Sequence, residues 1–331
     1  MIAKNPTIYD VARLAGVSSA TVSRVLNEPS KVQPEKRKRV VDAITRLNFT
    51  PKAQAVANSR QQYKKIGVIA PFFTQPSFMQ RLRGVSEILS NEHYELVLYA
   101  ISSSRELDEY VDMLVSSKRV DGLIVLSMSL KQEHVDNLRH ALIPVCVVEA
   151  DTPEFDSVLV DNYRGGRIAA EYLFRQGCRK PAFVGEETSG EYAVPATDLR
   201  LAGFKDFFAE QGIEIKERNI WVGRTAEEDI VKGGGAILKQ KHRPDCIFAS
   251  SDLIAIRLMQ VAKKSGVSLS RDVLIFGFDD IDMAEYVNLT TVNQGLDESG
   301  KIASELLLER LRNPNREVRN VLLPLKLVVR N

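Results

Sequence analysis

Along residues 7–47 apolar positions recur at spacings of three and four within three short segments separated by turn residues, which predicts three amphipathic helices. Thr7-Ile8-Tyr9-Asp10 has the form of a capping box, with the Thr7 hydroxyl placed to accept from the Asp10 amide and the carboxylate able to reach back. A helix follows with Val11, Leu14 and Ala15 on its buried face. Gly16 supplies a permissive backbone for a tight turn, and Ser18 caps a second helix over Ser19–Leu26. Pro34 opens a third, whose inward stripe is Val40, Ile44 and Leu47.

The second helix has two unlike faces. Val22, Val25 and Leu26 point to the other helices, whereas Ser19, Ser23 and Asn27, with Ala20 and Arg24 in the adjoining row, point away. A solvated face ordinarily carries long Glu and Lys, and none stands between Ser18 and Asn27. Small polar side chains and one arginine allow close approach to a major groove, so the spacing reads as a helix-turn-helix.

From Ile66 the pattern changes to short β-branched runs alternating with amphipathic segments. Strands are expected at Ile66–Ala70, Glu95–Ala100, Gly122–Leu126, Val145–Val148, Ser157–Val160, Ala182–Val184, Cys246–Ala249, Val273–Phe276 and Leu325–Val329. Helices are expected at Phe78–Asn91, Leu107–Val115, Arg164–Gln176, Ala202–Gln211 and Ala255–Lys264. This alternation predicts doubly wound parallel sheets with ligand sites at the carboxyl ends of the strands. Residues 66–70 are echoed by 181–185 and 121–125 by 245–249, at separations of 115 and 124, which suggests two similar lobes with a cleft between them. The fold class is therefore an all-α helix-turn-helix head plus an α/β body of two doubly wound parallel-sheet lobes.

Composition refines this picture through the distribution of charge. Residues 1–65 hold 13 Lys/Arg against 4 Asp/Glu, and the remainder 32 against 39, so the formal +2 conceals a basic head on an acidic body. Such a head suits a polyanion, the plainer alternative being a basic solvated surface. No apolar run approaches the roughly 18 residues of a membrane span, and the first residues carry no secretory apolar segment, so a cytoplasmic protein is expected. Cys146, Cys178 and Cys246 lack Cys-x-x-Cys spacing and are expected to be reduced, buried thiols.

The segments Thr7-Ile8-Tyr9-Asp10-Val11-Ala12, Ala15-Gly16-Val17-Ser18, Thr21-Val22-Ser23-Arg24-Val25-Leu26-Asn27 and Pro51 resemble the LacI/GalR family of bacterial transcription regulators. In the body the resemblance rests on residues 66–69, 120–124, Arg200-Leu201-Ala202-Gly203-Phe204, Phe276-Gly277-Phe278-Asp279-Asp280 and 289–292, and it covers essentially the whole chain. It implies a head over 1–50, a hinge over 51–65 and an effector-binding and dimerisation domain over 66–331. In that domain lobe 1 spans about 66–161 and 293–322, and lobe 2 about 162–292 and 323–331. The body is expected to be periplasmic-binding-protein-like and the chain to bind a pseudo-palindromic operator as a homodimer, most simply as a repressor.

By this resemblance Ser19, Ala20, Thr21, Ser23, Arg24 and Asn27 contact bases and phosphates, and Thr7, Tyr9, Ser18 and Val32 position the head on the backbone. Family members usually carry a leucine seven residues after the hinge proline, which wedges into the central base step. Here that position is Asn58. Either Val56 is a poorer wedge, or Asn58 reads the minor groove, or the duplex is bent less.

In the body Pro71, Phe73 and Ser77 from the first loop, Glu149 from lobe 1, and Arg200, Ser251 and Asp279 from lobe 2 are the implied effector contacts. Phe72, Phe73, Phe78 or Tyr192 would stack on a sugar face. Carboxylates on both sides and an arginine fork suit vicinal hydroxyls, so a sugar or sugar derivative is expected, with a nucleobase as the alternative. Ser251 stands where an Asn is frequent in sugar-binding members. The competing structural reading makes Asp279 and Asp280 helix caps and Arg200 an ion-pair partner.

An enzyme and a solute-binding protein are the rival classes. The phosphate-loop, His-Glu-x-x-His and Gly-x-Ser-x-Gly signatures are all missing, and His93, His134, His140 and His242 are scattered. Gly233-Gly234-Gly235 reads as close helix packing rather than a phosphate loop. No metal or cofactor is expected, although Asp279, Asp280 and Asp282 could in principle hold a hard cation. A solute-binding protein would suit residues 66–331 alone but not the head.

Overall fold

The computed structural model describes residues 6–27, 32–47, 49, 63–117, 119–187, 192–224, 227–269 and 271–330. The head contains α1 (Ile8–Ala15), α2 (Ser19–Asn27) and α3 (Pro34–Leu47). Both halves of the capping box form: Thr7 accepts from the Asp10 amide at 3.4 Å, and the Thr7 amide donates to Asp10 Oδ2 at 2.9 Å. Gly16 ends α1 in the left-handed region at φ 62°, where a side chain would be strained. The Thr21 amide donates to the Ser18 hydroxyl at 3.2 Å, capping α2 as its sequence predicts.

The head core gathers Val11, Ala12, Ala15, Val22, Val25, Val40 and Ala43. Leu14, expected inside, is 48% exposed. The small side chains of Ala12 and Ala15 are what let the neighbouring helices come close, so the buried stripe turns toward them and away from Leu14.

Lobe 1 is built on a six-stranded parallel sheet in the order β11 (Asn320–Leu323), β5 (Asp156–Val160), β4 (Val145–Val148), β3 (Gly122–Leu126), β1 (Lys65–Pro71), β2 (Glu95–Ile101). Alternation along each strand splits its side chains between two cores. Leu123, Val125, Val145 and Val147 meet α5 (Ser104–Ser117) and α6 (Gln132–His140) on one face. Ile124, Leu126, Cys146 and Val148 meet α4 (Pro76–Asn91) and α12 (Leu296–Arg312) on the other.

Lobe 2 repeats the scheme with β7 (Ile220–Gly223), β6 (Pro181–Glu186), β8 (Cys246–Ala249) and β9 (Leu274–Phe276), all parallel. Phe183 and Phe248 face α7 (Asn162–Arg175) and α8 (Ala196–Glu210). Ala182, Val184, Ile247 and Ala249 face α9 (Glu227–Leu238) and α10 (Asp252–Lys264). The glycine run lies in α9, where Gly233 abuts Trp221 and Gly234 abuts Leu258. A short α11 (Asp282–Tyr286) follows β9, and β10 (Thr291–Asn293) pairs antiparallel with β12 (Lys326–Val328) beside the crossings between lobes.

Cys178 and Cys246, expected as separate thiols, are joined as a disulfide with their Cα atoms 6.0 Å apart. They are 68 residues apart in the chain, and it is the pairing of β6 with β8 that brings them together, which linear spacing does not encode. Cys146 remains a free, buried thiol whose pKa burial pushes up, so that it stays protonated. Among the described residues no helix is long and apolar enough to cross a membrane.

Candidate functional site

On the head, the row predicted to face outward does so: Ala20 and Arg24 are exposed, and Ser19, Thr21 and Ser23 are half-exposed, above buried Val22 and Val25. Thr7 and Ser18 are exposed beside them, and Tyr9 is 73% exposed. Val32 is half-buried against the head core, so its contribution to positioning is shared with packing. The Asn27 side chain, Val56 and Asn58 lie outside the described residues.

The second candidate site is a cleft of about 880 Å³, open mouth included, lined from both lobes at the carboxyl ends of their strands. The chain leaves these strands through unusual backbone. Phe72 after β1, Ser127 after β3, Glu149 after β4 and Asp279 after β9 have φ of 46°, 53°, 64° and 123°, in the region that favours glycine. Backbone strain of this kind is held where the surroundings over-determine it, and all four residues line the cleft.

Its floor is a chain of buried polar groups. Glu149 Oε1 pairs with Arg81 at 2.8 Å, and Glu149 Oε2 accepts from the Ser127 hydroxyl. Arg81 also donates to Ser127 at 3.0 Å and to Gln294 Oε1 at 3.2 Å, and Gln294 Nε2 donates to Asp279 Oδ1 at 2.5 Å. Arg200 donates to Asn162 Oδ1 at 2.9 Å and to the Ser250 carbonyl at 2.6 Å, with its guanidinium 3.7 Å from the Phe278 ring centroid. Two glycines hold Arg200 in place. A Cβ on Gly166 would strike the Arg200 carbonyl and one on Gly203 the Tyr163 carbonyl, so only glycine lets α7 and α8 pack this closely.

Behind the floor Asp252 is fully buried, accepting from Thr291 Oγ1 at 2.5 Å and from the Ile281 amide at 2.9 Å, which fixes the loop that presents Asp279. Ser251 caps α10, its hydroxyl accepting from the Ile254 amide.

The carboxyl groups titrate differently because their partners differ. Burial pushes Asp279 up to about 7 against the pull of Arg200 and Arg81. Burial also raises Asp252, with the neighbouring Asp279 charge adding to the effect. Burial raises Glu186 too, opposed by Arg200 and reinforced by Glu149. For Glu149 burial acts in the same direction, but Arg81, Arg200 and Ser127 together outweigh it and its carboxyl lies below the usual range.

Of the sequence-predicted contacts, Pro71, Phe72, Ser77, Phe78, Glu149, Arg200, Ser251 and Asp279 line the cleft. Phe73 and Tyr192 do not. Phe73 packs against the core beneath α4, and Tyr192 is buried in the opposite core of lobe 1. The segment carrying Tyr192 docks on lobe 1, with the Ser129 amide donating to the Tyr192 carbonyl, so its ring has apolar neighbours to fill. Asp280 pairs with Arg330 and Asp282 with Arg83, so these aspartates do not converge on a cation site.

Sequence reasoning missed Arg81, Ser127, Glu186 and Gln294. Arg81 stands three and four residues after Phe78 and Ser77, on the same helical face, which was a usable signal. For Glu186 the signal was only its place at the carboxyl end of β6.

Residues 7–52 match the model described as bacterial regulatory proteins, lacI family, and residues 170–331 match a periplasmic binding protein-like domain. The chain is 32% identical over 330 residues to the HTH-type transcriptional repressor PurR of Photobacterium profundum, covering 98% of this chain and 97% of that one. Its structure is similar to that of the transcriptional regulator CelR in complex with cellobiose, at TM-score 0.71 and 27% identity over 98% of this chain and 99% of that one. It is also similar to the lac repressor dimer bound to operator and the anti-inducer ONPF, at TM-score 0.81 and 25% identity over 99% and 98%.

Proposed function

The chain belongs to the lacI family of bacterial regulatory proteins, a DNA-binding transcription repressor, and from that premise we propose that it binds its operator as a homodimer under the control of a small sugar or sugar derivative held between its lobes. The observation that carries the effector reading is the arrangement of Arg200 and Asp279 from lobe 2 opposite Ser77 and the Arg81–Glu149 pair from lobe 1 around one cavity. Guanidinium and carboxylate groups together offer donors and acceptors to adjacent hydroxyls, which is the chemistry that orients a pyranose or furanose. Ser19, Ala20, Thr21, Ser23, Arg24 and Asn27 would enter the major groove, and Thr7, Tyr9, Ser18 and Val32 would fix the head on the phosphates. Asn58 or Val56 would meet the minor groove.

Coupling runs through contacts that already cross the cleft. The Asp282 amide donates to Gln80 at 3.0 Å, Arg83 pairs with Asp282, and Gln294 joins Arg81 to Asp279. A ligand that shifts either lobe changes these contacts, and the same free energy must appear in operator affinity.

A second reading, a nucleobase effector, is favoured by Phe72. The residue is 49% exposed, and its ring lies edge-on to Phe78 with centroids 6.5 Å apart, leaving a face on which a planar base can stack.

Thermal unfolding of the full chain against free sugars, sugar phosphates, sugar acids and nucleobases tests both. A ligand present at about a hundred times its Kd adds about 2.7 kcal/mol, enough to raise the melting midpoint by several degrees. A shift by a sugar supports the first reading, a shift by bases alone supports the second, and no shift by any of them counts against effector control.

A further inference from the structure

The cleft holds more carboxylates than cations can balance. Glu149, Glu186 and Asp279 face it, against Arg81 and Arg200, with Glu187 at the mouth beside Arg224 at 3.7 Å. Arg81 is committed to Glu149, both of whose oxygens are occupied by Arg81 and Ser127. Asp279 has one oxygen taken by Gln294. Among the described residues lining the cleft, Arg200 stands as the one remaining buried cation for two carboxyl groups. Glu186, half-buried at the end of β6, makes no side-chain hydrogen bond or ion pair to any described residue, although its own amide donates to Ser250 Oγ at 3.3 Å.

A carboxylate that faces an open cleft without a side-chain partner is placed to accept a charge-assisted hydrogen bond from a cationic ligand. Among the described residues of the cleft, Glu186 is thus the carboxyl group with neither oxygen engaged by a side chain. We infer that Glu186, rather than Glu149, selects the effector, and that the effector is a hydroxylated ring bearing a protonated amine, placed so that the amine meets Glu186 while hydroxyls meet Arg200 and Asp279. The inference rests on the proposed sugar-derivative reading and narrows it. It has a corollary: anionic sugars are excluded, because a phosphate or carboxylate would stand among Glu149, Glu186 and Asp279 with Arg200 as the one cation left to offset them.

The experiment is calorimetric titration of the full chain, wild type and Glu186→Gln, with D-glucosamine, D-galactosamine and D-mannosamine, their parent hexoses, the corresponding hexose phosphates, and adenine and hypoxanthine. Glu186→Gln keeps the side chain's shape, and its melting curve reports folding separately. In the wild type at least one aminohexose binds about 10-fold or more tighter than its parent, the range expected for a hydrogen bond between charged groups. In Glu186→Gln that preference of amine over parent collapses to about 3-fold or less. Equal binding of amine and parent in the wild type, or a preference that survives in Glu186→Gln, overturns the inference. Binding by neutral hexoses or bases with no aminohexose binding also overturns it while sparing effector control, and a panel in which nothing binds overturns both.

Discussion

Gln294 hydrogen-bonds Asp279 at 2.5 Å, and its other amide atom accepts from Arg81, so one buried side chain between β10 and α12 touches the charged groups of both lobes. An amide suits this place because it donates to the carboxylate and accepts from the guanidinium at once. A carboxylate or an ammonium would satisfy only one neighbour.

Asp279 makes the protein sensitive to pH near neutrality. Its carboxyl titrates at about 7 in the folded chain against about 3.9 when unfolded. A raised acid stabilises fully below the unfolded value and loses that contribution as pH rises through the folded one, so the melting midpoint should fall from pH 5 to pH 8, with a slope approaching about 1.4 kcal/mol per pH unit per proton. Calorimetry of Asp279→Asn across this window should show a flatter curve. An unchanged slope would assign the dependence elsewhere.

The Arg81–Glu149 pair is buried on both sides. Removing one partner strands the other, so Arg81→Met and Glu149→Leu should each cost about 3–5 kcal/mol, whereas the two combined should cost much less than their sum. Denaturant titration of the three variants measures the coupling, and simple additivity would mean that the pair is not energetically linked.

Gly166→Ala should destabilise although alanine is the better helix former by about 1 kcal/mol. The added Cβ meets the Arg200 carbonyl, which can move only by parting α7 from α8. The melting midpoint should drop, and effector affinity with it because Arg200 shifts. A stabilised variant would show that the two helices separate freely.

On the head, Arg24→Ala should weaken binding to every DNA sequence and reduce the salt dependence of log K by about one ion, as loss of a phosphate contact does. Ala20→Gln puts a long amide on the exposed row and should change operator preference with little change in salt slope. Site selection from random duplexes with both variants checks this, and the opposite pattern would misplace the recognition face.

Periodicity alone determined the three head helices, the capping box at Thr7, the outward row of Ala20 and Arg24, and the two parallel-sheet lobes. These are consequences of spacings of three to four and of two, which are properties of one segment at a time. The motif around Asp279 was legible through the family resemblance instead, because it is a contiguous stretch of chain, of which Asp279 lines the cleft.

What only the tertiary structure decided depends on pairs remote in sequence. Cys178 meets Cys246 because β6 pairs with β8, Leu14 is left outside because α2 and α3 close over the alanines, and Tyr192 turns into the lobe 1 core because its segment crosses the cleft. The surroundings of Glu149 and Glu186 were decided in the same way. Both are glutamates at the ends of strands, and nothing local distinguishes them. Arg81 reaches Glu149 from α4, and no side chain of the described residues reaches Glu186, because a charged group is paired only by whichever groups the packing of distant elements delivers to it.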